Sequence, residues 1–144
     1  MPSLILVVLQ FALIVLLIWP WTAPVWSLPV LAVFLFGAAI GVWTLAFNRP
    51  GNFNIRPELK PDAKLVLDGP YAYVRHPMYV SVLLIGMAAV LLYLDWLKLL
   101  CWIALFAVLW VKSEVEEKAL RQRFPGYRDY ASMVGRFFPR IMVG

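Results

Sequence analysis

The chain opens on an apolar run from Ser3 to Trp19 whose one strongly polar member is Gln10. Only Met1 and Pro2 precede it, without a basic stretch, so it reads as a retained span and not as a cleaved signal. Pro20, Pro24 and Pro29, interleaved with Trp21 and Trp26, then form a turn, because proline lacks the N–H that would carry a helix onward. A second run, Leu28 to Phe47, is long enough to cross a hydrocarbon core of roughly 30 Å at about 1.5 Å per residue. From Asn48 to His76 the pattern turns polar and is punctuated by Pro50, Gly51, Pro57, Pro61, Gly69 and Pro70; loops of this length are usually functional or disordered. Apolar character returns from Met78 to Leu94, is broken by Asp95 and Lys98, and resumes from Leu99 to Val111. Both stretches are short, which predicts a tight helical hairpin that spans with local thinning or stops just short of a full crossing. A charged helix, Ser113 to Phe124, continues the last span until Pro125 and Gly126 end it, and a tail to Gly144 carries Tyr127, Tyr130, Phe137, Phe138 and Pro139.

The pattern therefore predicts an all-α integral membrane protein of about four transmembrane helices plus a C-terminal cytoplasmic helix. Residues 1–47 form an N-terminal helix pair, and 48–144 hold the loop, the hairpin and the charged helix, in one domain overall. Composition agrees: 63% of the 144 residues are hydrophobic and 15% charged, against about 45–50% apolar in soluble proteins. Mean hydropathy is +0.81. Disorder and a disulfide scaffold are excluded, and with one cysteine, Cys101, and one histidine, His76, a His/Cys metal cluster has no ligand set. Twelve of the thirteen basic residues lie in the 48–76 loop (Arg49, Arg56, Lys60, Lys64, Arg75) or from Lys112 onward (Lys118, Arg121, Arg123, Arg128, Arg136, Arg140), leaving Lys98. Basic residues collect on the cytoplasmic side, so both termini are placed there, in a multi-pass protein of the cell inner membrane. Trp19, Trp21, Trp26, Tyr93 and Trp96 then fall at the opposite interface as an aromatic belt. The net charge of +5 suits anionic headgroups. Nucleic acid is not an expected partner, because the cations flank apolar spans and no recognition motif accompanies them. Gly37 and Gly41, four apart in an apolar segment, allow close helix approach and are the candidate face for a homodimer.

Chemistry concentrates in two places. Gly69-Pro70-Tyr71-Ala72-Tyr73-Val74-Arg75-His76-Pro77-Met78-Tyr79 carries an arginine and the one histidine to the mouth of the third span, with Pro77 suited to a first helical turn. An interfacial cap, with Arg75 reaching lipid phosphates, would have the same composition. Glu114, Glu116 and Glu117 stand one turn past the fourth span. Helical spacing puts Glu114, Glu117, Lys118 and Arg121 on one face and Glu116 off it; a solvated face with a Glu117–Arg121 pair is the plain alternative. Both clusters flank the hairpin on the same side, which allows them to converge.

Gly-Pro-Tyr-x-x-x-Arg-His-Pro-x-Tyr (Gly69–Tyr79), followed after a hydrophobic hairpin by Glu116-Glu117-Lys118-Ala119-Leu120, then Phe124-x-x-Tyr127-x-x-Tyr130 and Arg136-Phe137-Phe138-Pro139, resembles the isoprenylcysteine carboxyl methyltransferase and phospholipid methyltransferase group of integral membrane enzymes. The resemblance covers roughly 65–140. It implies S-adenosyl-L-methionine as methyl donor, bound on the cytoplasmic side by the 48–144 half, and a lipophilic acceptor entering from the bilayer, in a small prokaryotic member. It implies, too, that Glu116 or Glu117 binds the donor's ammonium or ribose, that Arg75 or Arg121 pairs with its carboxylate, and that His76 and the backbone near Pro77 meet the adenine edge. Tyr71, Tyr79, Tyr127 and Tyr130 would wall the site, their ring faces favouring the sulfonium. Arg75, Glu117 and Arg121 are the catalytic candidates, and no metal is needed, since in-line methyl displacement runs on alignment in a dry site. Arg136 and Arg140 are candidates for the acceptor's polar end or for phosphate anchoring. Ser81 stands where many relatives carry glycine, and Gly86 stands alone where phospholipid methyltransferases carry a Gly-x-Gly donor element. Two other readings compete: an NADPH-dependent reductase related to sterol reductases, and a non-catalytic membrane scaffold. Gln10 is expected to bond a neighbouring helix, and Cys101 to fill apolar space.

Overall fold

The computed structural model describes residues 2–48 and 61–140; Arg49, Arg56 and Lys60, counted above toward the cytoplasmic charge, lie outside them. Five α-helices form among these residues: α1 (Pro2–Ile18), α2 (Leu28–Phe47), α3 (Pro77–Tyr93), α4 (Trp96–Arg123) and α5 (Tyr127–Met133), with a short 3-10 turn at Gly69–Ala72. Among the described residues there is no strand, and a single parallel bridge joins Val74 to Gly135. α2 lies along α3, α3 packs on α4 and α4 on α1, with a lighter contact between α1 and α3. Leu17, Tyr79, Leu83, Val90, Leu105, Leu109 and Phe137 form the core of this bundle.

Among the described residues two helices, α2 and α4, are long and apolar enough to cross a membrane. α1 and α3, each of 17 residues, reach about 26 Å at 1.5 Å per residue and so fall short of a core of roughly 30 Å. The outward faces of α1 and α2 are apolar almost throughout, with Ile5, Val8, Phe11, Val15, Phe34, Phe36 and Val42 exposed, as suits contact with lipid. Polar side chains turn inward instead: Gln10 of α1, Thr44 of α2, and Lys98, Lys112 and Ser113 of α4 are buried.

The break in the hairpin is narrower than the sequence pattern suggests. It is confined to Leu94 and Asp95: Leu94 takes a left-handed conformation (φ 46°) to close α3, and the Asp95 side chain accepts from Leu97 N–H at 2.7 Å to open α4, supplying an acceptor for one of the orphan amides of that helix start. Lys98 is therefore inside α4. Its ammonium, buried, donates to the carbonyls of Leu16 (3.3 Å), Leu17 (2.6 Å) and Trp19 (2.6 Å), closing the C-terminal end of α1 where a cation is favoured. The Tyr93 and Trp21 rings flank it at 4.1 and 6.0 Å, so these aromatics do gather at one end of the bundle. Thr22 Oγ1 and Val25 N–H tie the α1–α2 turn to the Tyr93 and Leu92 carbonyls at 3.3 and 2.6 Å.

The Gly37/Gly41 stripe, expected to offer itself to a second copy, is taken up within the chain. A Cβ at Gly37 would stand 2.9 Å from Leu84 Cβ, and one at Gly41 would stand 2.7 Å from Ser81 Oγ, both on α3. Ser81 Oγ donates to the Gly37 carbonyl at 2.7 Å. The small residues thus let α2 and α3 approach closely enough for a side chain to bond a helix backbone.

Candidate functional site

The 3-10 turn begins at Gly69, whose φ of 61° and whose contact with the Phe47 ring, 2.6 Å from where a Cβ would sit, leave room for glycine alone. From there the chain runs past Val74, and Arg75 N–H and His76 N–H donate to the Gly135 and Arg136 carbonyls at 2.8 and 3.1 Å. Pro77 starts α3, where its missing N–H is no loss. The tail is thereby strapped across the end of α3. A Cβ at Gly135 would meet the Phe138 carbonyl oxygen, so the strap turns too tightly there for any other residue. Phe137 is buried edge-on against His76, Tyr79, Phe106 and Trp110, at 5.7 to 6.2 Å between ring centres.

At the centre is Glu117, completely buried in α4. Its Oε1 accepts from Arg75 Nε (2.9 Å), His76 Nε2 (3.1 Å) and Arg136 Nε (3.2 Å), and its Oε2 from Arg121 Nη2 (2.9 Å) and Arg136 Nη2 (3.3 Å). Five donors fill the roughly four lone-pair positions of one carboxylate. Arg75 goes further: its Nη1 donates to the carbonyls of Ala131 (3.0 Å) and Val134, closing the C-terminal end of α5. Arg136 also pairs with Glu114 and lies 4.5 Å over the Trp110 ring.

His76 links the two adjacent glutamates. Its Nε2 faces Glu117, its Nδ1 lies 3.4 Å from Glu116 Oε2, and its ring stacks on Tyr79 at 5.4 Å. Tyr79 in turn donates its hydroxyl to Glu116 Oε1. Burial works against a charged imidazole, but the hydrogen bonds and negative charges of Glu116 and Glu117 outweigh it and raise the His76 pKa above its ordinary value. Two carboxylates on two ring nitrogens favour the doubly protonated ring. Tyr71 accepts from Asn48 Nδ2 at 2.8 Å, and its phenol is pushed up to about 12, mainly by burial and against the Asn48 bond. Tyr130 donates to the Tyr71 carbonyl at 2.6 Å. Toward the helix bundle from this cluster, Lys112 donates to Gln10 at 2.6 Å and lies 5.4 Å from the Tyr79 ring centre, the inter-helix bond expected of Gln10.

Arg75, His76, Tyr79, Glu116, Glu117 and Arg121 are thus brought into one network, with Tyr71, Pro77, Tyr127 and Tyr130 around it. Glu116 does not point away from its neighbour, as helical spacing suggested, because His76 reaches across to both. Arg75 holds Glu117 and the backbone carbonyls of Ala131 and Val134, and His76 turns both nitrogens to carboxylates. Arg136 bonds Glu117 and Glu114, and Arg140 donates to the Ser132 carbonyl. Arg136, read from the sequence as a contact for the acceptor's polar end or a phosphate anchor, and Phe137, given no role there beyond the closing Arg-Phe-Phe-Pro stretch, both join the cluster.

The profile of the isoprenylcysteine carboxyl methyltransferase family matches residues 30–122. Among curated proteins, the chain is 32% identical over 80 residues to an uncharacterized protein of Schizosaccharomyces pombe, covering 51% of this chain and 23% of that protein. It is 33% identical over 86 residues to the nickel-cobalt-cadmium resistance protein NccN of Alcaligenes xylosoxydans xylosoxydans, covering 57% of this chain and 39% of the other. The chain therefore spans well under half the length of either relative.

Proposed function

The chain belongs to the isoprenylcysteine carboxyl methyltransferase family, and from that premise we propose that it is an integral membrane methyltransferase that uses S-adenosyl-L-methionine to methylate the carboxylate of a lipophilic acceptor. The observation that carries this reading is the convergence on one carboxylate of three segments far apart in sequence: Arg75-His76, Glu116-Glu117 and Arg136. The donor brings an ammonium, a carboxylate, ribose hydroxyls, an adenine and a sulfonium, so its site needs acidic, basic and aromatic groups side by side. The residues present fit that list. Glu116 keeps 19% of its side chain exposed and Arg121 42%, so both face outward from a frame that Glu117, Arg75, His76 and Arg136 hold rigid.

In this reading Glu116 takes the ammonium. Tyr71, Tyr79 and Tyr130 wall the site, and backbone groups near Pro77 meet the adenine edge. When bound, the donor supplies a methyl group on a sulfonium, open to in-line attack. The protein's part is to align and to keep water out: Phe137, inserted among His76, Tyr79, Phe106 and Trp110, seals the site from the bundle core. An acceptor carboxylate is already nucleophilic, so no side chain has to take a proton from it. The apolar outward faces are read as four lipid-embedded helices, α1 and α3 in locally thinned bilayer. Both termini and the site face the cytoplasm of a prokaryotic inner membrane, residues 1–47 serving as the membrane pair and 48–144 as the catalytic half.

Calorimetric titration of the detergent-solubilised protein with S-adenosylmethionine, S-adenosylhomocysteine and NADPH tests the proposal. Both sulfur compounds should bind without added metal, and Glu116→Gln should weaken them about tenfold, roughly the worth of one charged hydrogen bond. Binding of NADPH alone would replace methyl transfer with reduction, and a folded protein that binds none of the three would refute an enzymatic reading.

A further inference from the structure

Leu105, Leu109 and Lys112 follow one another at helical spacing on one face of α4, all three are buried, and the two leucines belong to the core. A third leucine would serve packing there, whereas an ammonium among apolar side chains is expensive to bury. On α1, Ser3, Gln10 and Leu17, seven residues apart, form the buried stripe. Gln10 stands at its middle and accepts from Lys112 Nζ at 2.6 Å. Two polar side chains thus meet between helices that apolar contacts would join on their own. Nor are they needed as a tie, because Lys98 already binds α4 to the Leu16, Leu17 and Trp19 carbonyls of the other end of α1 and the turn after it.

Lys112, unlike Lys98, borders the charged cluster. Its ammonium lies 5.4 Å from the Tyr79 ring centre, within the range of about 6 Å over which a cation is drawn to a ring face. Tyr79 donates its hydroxyl to Glu116 Oε1, and His76 Nδ1 lies 3.4 Å from Glu116 Oε2, so each carboxylate oxygen of Glu116 is set by one ring. The His76 ring is fixed from its far side by Glu117 at 3.1 Å. The Tyr79 ring is fixed by its stack on His76, by the edge of Phe137 and, toward the bundle, by the Lys112 ammonium. A continuous line of contacts therefore runs from Gln10 on α1 through Lys112 and Tyr79 to Glu116.

We propose that Gln10 is a positioning residue for the donor site: it holds the Lys112 ammonium against the Tyr79 ring and so fixes the hydroxyl that orients Glu116. This rests on the reading above in which Glu116 takes the donor's ammonium. It deepens that reading by giving the first helix a part in donor binding, although the family match, residues 30–122, does not include it. Gln10 acts through its neighbours and not on the ligand.

The test is a double-mutant cycle on S-adenosylhomocysteine affinity, measured calorimetrically on the full chain in detergent at a temperature well below each variant's thermal midpoint. Gln10→Leu should weaken binding about fivefold. Tyr79→Phe keeps the ring but cuts the last link, so adding Gln10→Leu to it should change affinity by less than about twofold, the non-additivity expected of residues joined in one network. Gln10→Glu retains an acceptor for Lys112 and should bind within about twofold of wild type. Lys98→Met loosens the other tie between α1 and α4 and should leave affinity unchanged while lowering the midpoint. Should Gln10→Leu not fold, Gln10→Asn, polar but one methylene short of Lys112, replaces it with the same expectations. Wild-type affinity in the Gln10 variant overturns the proposal, as does an equal loss with and without the Tyr79 hydroxyl. A loss in Gln10→Glu as large as in Gln10→Leu overturns it too, and so does an equal loss in Lys98→Met, which would make any loosening of α1 sufficient. If wild type binds neither S-adenosylmethionine nor S-adenosylhomocysteine, the methyl-donor reading itself fails, an outcome distinct from the others.

Discussion

Replacing Glu117 by glutamine keeps the shape of the side chain but removes the charge that holds the cluster together. Glu117 has no exposed surface and accepts from Arg75, His76, Arg121 and Arg136. Charge-assisted hydrogen bonds contribute about 1.5–3 kcal/mol apiece, and a simple sum over these four partners would rival the whole stability of a small protein, about 5–15 kcal/mol. The sum is too large for a physical reason. Arg121 is 42% exposed, so water replaces most of what it loses and its share is below about 1 kcal/mol. The relevant magnitude is that of stripping one partner from a buried ionic group, about 3–5 kcal/mol, because Arg75 and His76 then stay buried beside a neutral amide whose NH2 faces their own N–H groups. At about 3 °C per kcal/mol for a chain of this size, the thermal midpoint should fall by about 10–15 °C. Glu116→Gln is the control: Glu116 loses a phenol bond and one imidazole contact, about 1 kcal/mol or a fall of about 3 °C. Unfolding in detergent, followed by tryptophan fluorescence, reads both. A Glu117→Gln midpoint within about 3 °C of wild type, or a larger loss for Glu116→Gln, would refute the view that Glu117 is the frame and Glu116 the ligand contact.

The raised His76 pKa implies a stability that depends on pH: the protonated ring's contribution is fully present below its unfolded value of about 6.5 and is lost as pH rises through the higher folded value. The midpoint should therefore decline from pH 6 into the alkaline range, and His76→Gln should flatten that slope in the same melting assay. Gly37→Ala would place a methyl 2.9 Å from Leu84 Cβ and 3.1 Å from Ile85 Cγ1, forcing α2 off α3 at a cost of about 1–3 kcal/mol; sedimentation in detergent should find the oligomeric state the same as wild type, since that stripe is already covered. Lys98→Met strands the Leu16, Leu17 and Trp19 carbonyls and should cost about 1–3 kcal/mol. It should leave donor affinity unchanged in calorimetry, because Lys98 lies about 28 Å along α4 from Glu117.

Much of the fold was legible in the hydrophobic pattern, because apolar runs of helical length bounded by proline have few alternatives. The family was legible for another reason: Arg75-His76-Pro77 and Glu116-Glu117 are close-set motifs whose order survives any folding. What could not be read was which charge meets which. Linear spacing placed Glu116 off the Glu117 face, yet the histidine that joins them comes from another helix start. The same limit applied to Arg136, since an arginine near a membrane end reads as a phosphate anchor until the strap that turns it inward is seen. Lys98 was the one cation outside the charge rule, and its reason is local: it closes α1, a role set by packing that no pattern along its own helix reveals.

The bridge between Val74 and Gly135 also imposes an order of assembly. During synthesis, Arg75, His76 and Glu117 all emerge before the segment that straps them, and the amides of Arg75 and His76 find their carbonyl partners only when Gly135 and Arg136 arrive. Until then Phe137 is missing from the aromatic group it completes, and Glu117 lacks one of its guanidiniums. The contacts among α1, α2, α3 and α4 do not involve this segment, so those helices can pack while the cluster is still open. A chain cut short before Gly135 would keep the packing of α1 to α4 on one another and lose both carbonyl partners, so these few residues decide whether the cluster closes.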